Sequence, residues 1–304
     1  MAHRGLNDKR INAAVVIGGV NMDIWGRPAD KLVAQDSAPG SVIMTPGGVG
    51  RNIAHNLRLL DVDVSLAAAL GNDANGSALR ASCLDLGMDM SLSPVIAGRR
   101  SSTYLYITDE DGDMALAINE MDICREIGPE YLSSILPEIE SHNALVLDAN
   151  LSEEAIAFIC ENSSLPIYAD PVSTVKGVKL LPHLGRIRCF KPNELEARCL
   201  TGENDPELAA KKLVDMGVER VFLSLGSDGL IAASKDEFFH LPVIPTEMIN
   251  ASGAGDAAMA AIIWADMQGM SLYDTARAAR LAGAITCHCE KSNSPELGTL
   301  KEQL

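Results

Sequence analysis

Basic and aromatic residues are both scarce in this sequence. Lys and Arg number 25 against 41 Asp and Glu, which gives a formal net charge of −16. This excess of negative charge repels polyphosphate backbones and anionic lipid, so it excludes nucleic-acid or membrane-surface binding as the main activity. Aromatic residues make up 4% of the chain, and its apolar content rests on Ala, Leu and Val. Such a composition is expected where many helices cover a buried sheet.

Paired cysteine motifs and long apolar runs are also missing. The seven cysteines are scattered and contain no C-x-x-C pair, which is typical of reduced thiols in a cytoplasmic protein. The Cys-His-Cys triplet at 287–289 has no second ligand cluster, so packed residues are favoured over a zinc site. Residues 1–10 are polar, and the apolar run at 13–20 ends too early for a signal peptide or a membrane span.

Apolar, β-rich runs alternate with stretches of helical spacing. The runs predict strands at 14–20, 64–70, 144–148, 166–170, 187–190 and 220–225, and the spacing predicts helices at 52–60, 77–86, 153–159, 207–216, 253–267 and 272–288. This order predicts an α/β fold with a doubly wound, mostly parallel sheet flanked by helices. A chain of 304 residues with 47% hydrophobic content fits one large domain covering residues 1–304.

Two regions break this alternation. Residues 24–44 are predicted to be loop-like with a short apolar end, whereas 101–107 and 114–118 form a predicted hairpin around an Asp-Gly turn at 109–112. Together with a strand predicted after Val20, the hairpin is expected to form a small β lid outside the main sheet. The lid would consist of two segments, approximately 21–45 and 99–120.

The sharpest motif is Gly253-Ala254-Gly255-Asp256. A Gly-Ala-Gly turn that opens a helix points several N–H groups outward at the positive end of the helix dipole and so predicts an anion hole. Asp256 at its rim could take a proton from a nucleophile, or could simply charge the helix N-terminus. The same stretch matches G-x-G-x-x-A, but it lies near the C-terminus rather than after a first strand, which argues against dinucleotide binding. No P-loop motif occurs.

Three further motifs could carry chemistry. Glycines 47, 48 and 50 precede Asn52 and allow close backbone approach to a ligand, or form an ordinary turn before a helix. Asn193 and Glu196 share one face of a starting helix and could hold water around Mg²⁺, or form a capping box. The segment Ser224-Leu-Gly226-Ser-Asp-Gly229 at a strand end could wrap phosphates or be a plain turn.

The joint order of these motifs resembles the ribokinase-like (PfkB) family of carbohydrate and nucleoside kinases over essentially the whole chain. The resemblance implies that Asp256 is the catalytic base, that the Gly253, Ala254 and Gly255 amides form the anion hole, and that the lid covers the substrate. It implies substrate-binding roles for Asn21, Asp23, Gly47, Gly48, Asn52, Tyr104, Asn119 and Asn150. For ATP it implies Lys191, Asn193, Ser224, Gly226, Gly229 and Asn293, and for Mg²⁺ it implies Glu196 and Asn193 through water.

Finer features resemble the pseudouridine kinases of that family, notably the runs PGGVGRNIAHNL, DPVSTVKGVKLL and KPNELEA. The implied activity is ATP-dependent phosphorylation of the 5′-hydroxyl of pseudouridine, by a homodimer that associates through the β lid. A ribokinase- or fructokinase-like sugar kinase, another nucleoside kinase and a non-catalytic nucleoside sensor remain alternatives. Asn250-Ala-Ser replaces the commoner Asp-Thr before the anion hole, which leaves a monovalent cation such as K⁺ open.

Overall fold

The computed structural model describes residues 12–33, 35–111 and 113–304. The polar start at 1–10, with its predicted lack of a signal peptide, and the Gly of the 109–112 turn lie outside the described residues. The strands are β1 (Ala13–Ile17), β2 (Asn21–Pro28), β3 (Gly40–Gly47), β4 (Asp63–Ala67), β5 (Leu70–Gly71), β6 (Val95–Ile96), β7 (Thr103–Thr108), β8 (Met114–Glu120), β9 (Ala144–Asp148), β10 (Ile167–Asp170), β11 (Ile187–Phe190), β12 (Arg220–Ser224), β13 (Leu230–Ser234) and β14 (Phe238–Leu241).

Helices occur at all six predicted stretches. The helices are α1 (Val49–Leu59), α2 (Ala74–Asp85), α3 (Pro129–Ile139), α4 (Glu153–Asn162), α5 (Thr174–Gly177), α6 (Glu194–Thr201), α7 (Pro206–Asp215), α8 (Ala254–Met267), α9 (Leu272–Cys287) and α10 (Leu300–Gln303). Of these, α3, α5 and α10 were not predicted. Among the described segments, no helix has the length and apolar character needed to cross a membrane.

The main sheet has eight strands in the order β14-β13-β12-β11-β10-β9-β1-β4. Strands β4, β1, β9, β10, β11 and β12 are parallel, and β13 and β14 extend one edge antiparallel. The α/β fold with a mostly parallel sheet is therefore confirmed. The predictions missed β13 and β14, and the first strand ends at Ile17 rather than at residue 20.

Both faces of this sheet are covered, because side chains alternate along each buried strand. In β1, Ala14 and Val16 belong to the hydrophobic core shared with α1, α8 and α9. Their neighbours Val15 and Ile17 face the opposite core, to which α4 and α7 contribute. The sheet is thus doubly wound, and the carboxyl ends of its parallel strands are left facing one common edge.

A second, four-stranded sheet has the order β3-β2-β7-β8. The predicted hairpin is confirmed as β7 and β8. The loop-like prediction for 24–44 is wrong at both ends of the segment, since β2 reaches residue 28, β3 begins at residue 40, and the two strands pair antiparallel. The pairing of β2 with β7 joins residues about 80 positions apart, and a local apolar pattern cannot reveal such a contact. We call this unit the small sheet.

Candidate active site

The predicted motifs meet where the parallel strands of the main sheet end. The N-terminus of α1 follows β3, and that of α8 packs beside it. Gly48 and Gly253 precede these helices with φ of 104° and 81°, in the left-handed region that glycine tolerates. A Cβ on Gly253 would lie 2.0 Å from the Ser292 carbonyl oxygen. Glycine is therefore required where α8 begins.

Asp256 lies in the first turn of α8, and Nδ2 of Asn52 on α1 donates a hydrogen bond of 2.9 Å to its Oδ2. Burial, together with the nearby Asp170 carboxylate, raises the pKa of Asp256 to about 7, although Asn52 and Lys191 oppose the shift. A carboxylate with a pKa near neutrality is matched to accepting a proton at physiological pH. This geometry fits a general base better than a plain helix-end charge.

Lys191 follows β11 and is buried with Asp170, the last residue of the neighbouring β10. Their charged groups are 3.3 Å apart. Burial alone would lower the pKa of Lys191, but the carboxylates of Asp170, Asp256 and Glu196 outweigh it and raise that pKa. A Cβ on Gly255 would lie 3.3 Å from Lys191 Nζ. A buried ammonium therefore stands against the amides of the predicted anion hole.

Asn193 and Glu196 form a capping box at the start of α6. Oδ1 of Asn193 accepts from the Glu196 N–H at 2.9 Å, and Oε2 of Glu196 accepts from the Asn193 N–H at 2.8 Å. Burial raises the pKa of Glu196. Within the described residues no group of three or more His, Cys, Asp or Glu is arranged as a metal site. A magnesium ion here would be held mainly by water and substrate phosphates, as Mg²⁺ prefers.

The Ser224 segment lies beside this capping box. The Ser224 N–H donates to the Pro192 carbonyl at 3.0 Å, and Asn193 and Ser224 form a parallel bridge. Gly226 and Gly229, both with positive φ, bound the short turn that follows. Two motifs about 30 residues apart therefore form one surface next to Lys191.

Of the predicted sugar-binding residues, Asn52 contacts Asp256 directly. Nδ2 of Asn21 donates to Asp23 Oδ1 at 2.6 Å, and burial raises the pKa of Asp23. Asp23, Gly47 and Asn52 line a cavity of about 1410 Å³ under the small sheet. The cavity is large enough to receive a nucleoside-sized ligand.

The predicted lid residues Tyr104 and Asn119 lie in the small sheet. Tyr104 pairs with Asp23 on β2 and with Asn119 on β8, so the three side chains share the inner face of the small sheet. Trp25 and Tyr106 form the pair two positions further along β2 and β7. Their rings stack, with centroids 6.3 Å apart. It is this pair, which the sequence analysis did not identify, that lines the cavity.

Asn150 and Asn293 lie apart from the lid. Asn150 follows β9, and its N–H donates to Asp148 at 2.9 Å. Asn293 donates to the Asn52 carbonyl at 3.1 Å and to Asn56 Oδ1 at 2.9 Å. Asn293 therefore lies against α1 and lines the cavity, which the predicted nucleotide segment at Ser224 does not line. The assignment of Asn293 to ATP stays a prediction.

Sequence reasoning missed the buried acids at the strand ends. Asp148 Oδ2 accepts from the Gly19 N–H at 2.8 Å and the Gly50 N–H at 2.9 Å, which ties the end of β1 to α1. Asp170 pairs with Lys191. The available signal was an Asp at the carboxyl end of a buried parallel strand, the edge of the sheet at which ligands bind in such folds.

Comparison with known proteins agrees with this geometry. The family model described as "pfkB family carbohydrate kinase" matches residues 12–298, and the chain belongs to this family. It is therefore a phosphotransferase with an alcohol group as acceptor. The chain is 37% identical over 291 residues to the pseudouridine kinase of Escherichia coli (strain K12), covering 93% of each protein.

Solved structures show the same fold. The chain superimposes on the ribokinase of Thermotoga maritima with a TM-score of 0.87 at 19% identity, covering 97% of this chain and all of the other. It is similar to the Arabidopsis thaliana ribokinase complexed with ribose and ATP, with a TM-score of 0.83 at 22% identity over 96% and 99% of the two chains.

Proposed function

We propose that this protein transfers the γ-phosphoryl group of ATP to the 5′-hydroxyl of pseudouridine. The observation that carries the kinase chemistry is Asp256, whose pKa is raised to about 7 and which stands in the first turn of α8 beside Lys191. The pseudouridine assignment is supported by the identity of 37% over 93% of the chain to a pseudouridine kinase. A protein that only binds a nucleoside does not need a general base, so the presence of Asp256 also argues against a non-catalytic sensor.

In the proposed reaction, Asp256 removes the proton of the 5′-hydroxyl as the hydroxyl oxygen attacks the γ-phosphorus of ATP. The bond from that phosphorus to the β,γ-bridging oxygen breaks, and ADP leaves. The amides of Gly253, Ala254 and Gly255 stabilise the charge on the transferred phosphoryl group, and the Lys191 ammonium adds a fixed positive charge against the same turn. When bound near Asn193 and Glu196, Mg²⁺ would neutralise phosphate charge. The buried carboxylates around Lys191 outnumber its one positive charge, which fits a site that receives a cation.

The nucleoside is proposed to bind under the small sheet. Asp23, held by Asn21, is placed to accept hydrogen bonds from the vicinal hydroxyls of ribose, with Gly47, Gly48 and Asn52 beside it. Trp25 and Tyr106 offer a stacked aromatic surface to the base. The small sheet would then act as the lid. Tyr104, Asn119 and Asn150 remain proposed contacts to base or sugar.

Two further features belong to this proposal. The segment Asn250–Ser252 lies against residues 290–293, where Asn250 Nδ2 donates to the Glu290 carbonyl at 2.9 Å. We propose that this pair of loops takes a monovalent cation such as K⁺ through backbone carbonyls. A cytoplasmic location is supported by the seven free thiols, four of them buried.

A homodimer through the small sheet is supported by its outer face. One row of apolar residues crosses all four strands in register. It consists of Met44, Ile24, Leu105 and Ile118. Leu116 on the neighbouring row is 58% exposed and Ile118 is 60% exposed. An apolar face of this kind is typical of an interface, and a second copy would bring an identical face to cover it.

The proposal is tested by an ADP-release assay with pseudouridine, uridine, adenosine, ribose and fructose at fixed Mg²⁺ and ATP. We expect kcat/KM for pseudouridine to be highest and to exceed that for uridine by at least about tenfold, since the additional ring N–H can be bound by buried polar partners. Faster turnover of ribose or fructose would replace the pseudouridine assignment by a sugar kinase. Absence of turnover with all five would favour a sensor.

A further inference from the structure

Arg51 is a buried cation next to Asn52, and it has no part in the reaction described above. It lies in the first turn of α1 and is 7% exposed. Its Nη1 donates to Oδ1 of Asn52 at 3.3 Å and to Oδ1 of Asn293 at 3.4 Å. Its Nη2 donates to Oγ of Ser82 on α2 at 3.3 Å. The guanidinium therefore directs hydrogen bonds at three neutral oxygens, two of which belong to amide side chains.

The amide of Asn52 lies between Arg51 and the proposed base. A guanidinium can only donate hydrogen bonds, and an ionised carboxylate can only accept them. The oxygen of Asn52 therefore faces Arg51, while its nitrogen donates to Asp256 at 2.9 Å. An amide turned by half a rotation would set two donors against each other on one side and two acceptors on the other. Both contacts thus depend on the same orientation of one amide.

The amide of Asn293 is oriented by Arg51 as well. Its oxygen accepts from the guanidinium, and its nitrogen donates to the Asn52 carbonyl at 3.1 Å and to Asn56 Oδ1 at 2.9 Å. Nη1 of Arg51 consequently bridges two amide oxygens. Because α2 and the loop at 290–293 both hold the guanidinium, its position is set from outside α1, and buried polar groups joined in this way are costly to leave unpaired.

We propose that Arg51 is a positioning residue that acts through Asn52 and keeps the amide nitrogen of Asn52 turned toward Asp256. The inference rests on the proposed kinase function, in which Asp256 is the base. A donor that faces a carboxylate stabilises its ionised form, whereas a carbonyl oxygen at the same place stabilises the protonated form. Without Arg51 the Asn52 amide is able to turn, and Asp256 would then hold its proton to higher pH.

The other charged groups that face Asp256 come from three neighbouring strands. Burial and the carboxylates of Asp170 on β10 and Asp148 on β9 raise the pKa of Asp256, whereas Lys191 after β11 opposes the shift. These groups remain in place when Arg51 is replaced. A change in the titration of Asp256 would therefore report the loss of the oriented amide.

Arg51 also acts by its charge on groups that do not involve Asn52. Burial raises the pKa of Asp23 on β2, and Arg51 opposes that shift. Burial and Arg51 together lower the pKa of His55 on α1. Burial raises the pKa of the Cys83 thiol on α2, which Arg51 again opposes. Loss of Arg51 would raise the pKa of Asp23 by a route that bypasses Asn52, so the experiment has to separate the two routes.

The test compares the pH profiles of Arg51→Met, Asn52→Ala and the double variant, with whichever of the five acceptors named above is turned over fastest. Methionine keeps an unbranched apolar stem and has no donor. We expect the acidic limb of kcat/KM in Arg51→Met to move up by about one pH unit, so that the ratio of activity at pH 6.5 to that at pH 8.5 falls about fivefold. In the Asn52→Ala background the same substitution should cause no further shift, because the group through which Arg51 acts is gone.

Arg58→Met is the matched control. Arg58 lies two turns further along α1, and its Nη1 donates to the Val62 carbonyl at 2.8 Å and to Asp63 at 2.7 Å. This variant should keep the pH profile of the unmodified protein, and thermal unfolding checks that each variant is folded. If Arg51→Met does not fold, Arg51→Lys takes its place. It keeps the charge but loses the planar guanidinium, and a smaller shift in the same direction is expected.

The outcomes separate this inference from the proposed function. A shift that persists in the Asn52→Ala background would assign the effect to Asp23, and an unchanged profile in the folded Arg51 variant would leave Arg51 with a packing role. Either result would overturn the inference and leave the kinase assignment standing. Failure of the unmodified protein to phosphorylate any of the five acceptors would overturn the proposed function and this inference together.

Discussion

The amide of Asn52 donates a 2.9 Å hydrogen bond to the Asp256 carboxylate across 204 positions of sequence. This bond joins the first turn of α1 to the first turn of α8. Because α1 follows the proposed sugar site and α8 carries the proposed anion hole, this bond connects the two halves of the proposed reaction. The position of Asp256 relative to Asn52 is thus set by helix packing, since α1 and α8 contact each other directly.

Asp256→Asn is expected to lower kcat by roughly 10²–10⁴, the usual contribution of a positioned base. The fold should be kept, because the amide is isosteric and can still bond with Asn52. Titration of ATP binding should be unchanged. Activity within a few-fold of the unmodified protein would mean that Asp256 only charges the helix end.

The same variant has a predicted effect on stability that depends on pH. A carboxyl whose pKa is raised to about 7 in the folded protein, from its ordinary value of 3.8, destabilises the fold progressively as pH rises between these values. Asp256→Asn removes this penalty. Its Tm should therefore match the unmodified protein near pH 3.5, if both remain folded there, and exceed it at pH 8 by about 2 °C or more. A lower Tm at pH 8 would contradict the raised pKa.

Asn52→Ala should shift the acidic limb of the pH–activity profile to higher pH. The base acts when ionised, so kcat/KM is expected to rise through the pKa of Asp256 and level off above it. Asn52 holds that pKa down, and its loss moves the acidic limb to higher pH. Activity should fall more at pH 6.5 than at pH 8.5, whereas an equal loss at both would show that Asn52 acts only through the substrate.

The sequence predicted the parallel strands and the motif order well, because each depends on a local pattern. Asp256, Asn52 and Lys191 were all identified, and the structure brings them together. The paired strands β2 and β3 and the buried Asp170 were not identified. Their environment is created by segments distant in sequence, and a single acid at the end of a strand has no periodicity that marks it as buried.

Glu196→Gln tests the magnesium role against the capping role. The amide oxygen of Gln can still accept from the Asn193 N–H, a bond of 2.8 Å in the unmodified protein, so the cap and the Tm should be kept. The lost negative charge should raise the Mg²⁺ concentration needed for half-maximal activity. Glu194→Gln, on the exposed side of the same turn, is the control. An unchanged Mg²⁺ titration would leave Glu196 as a helix cap.

Leu116→Asp is expected to convert the proposed dimer to a monomer, as measured by analytical ultracentrifugation. A charge on the outer face of the small sheet would be buried unpaired when two copies associate. Leu208→Asp, at a similarly exposed apolar position on α7, should leave the assembly unchanged. A monomeric unmodified protein, or a dimer that survives Leu116→Asp, would place the interface elsewhere or remove it.

Asp266→Asn should destabilise the protein without impairing chemistry. Asp266 lies near the end of α8 remote from Asp256. Its carboxylate accepts from Tyr168 at 2.6 Å, from Arg188 at 2.5 Å and from Arg220 at 2.9 Å. Neutralising it leaves two arginines without their shared anion, which typically costs about 3 kcal/mol or more for a buried group. Because both arginines are partly exposed, we expect the lower end of this range.

The measurement is a denaturant titration together with kcat at 20 °C. The loss of about 3 kcal/mol should appear in the free energy of unfolding, while kcat changes less than about twofold because the first turn of α8 is held independently by Asn52. Asp274→Asn, at a half-exposed carboxylate paired with Arg277, is the control and should cost less than about 1 kcal/mol. A fall in kcat as large as that of Asp256→Asn would mean that the Asp266 cluster also sets the position of the catalytic turn.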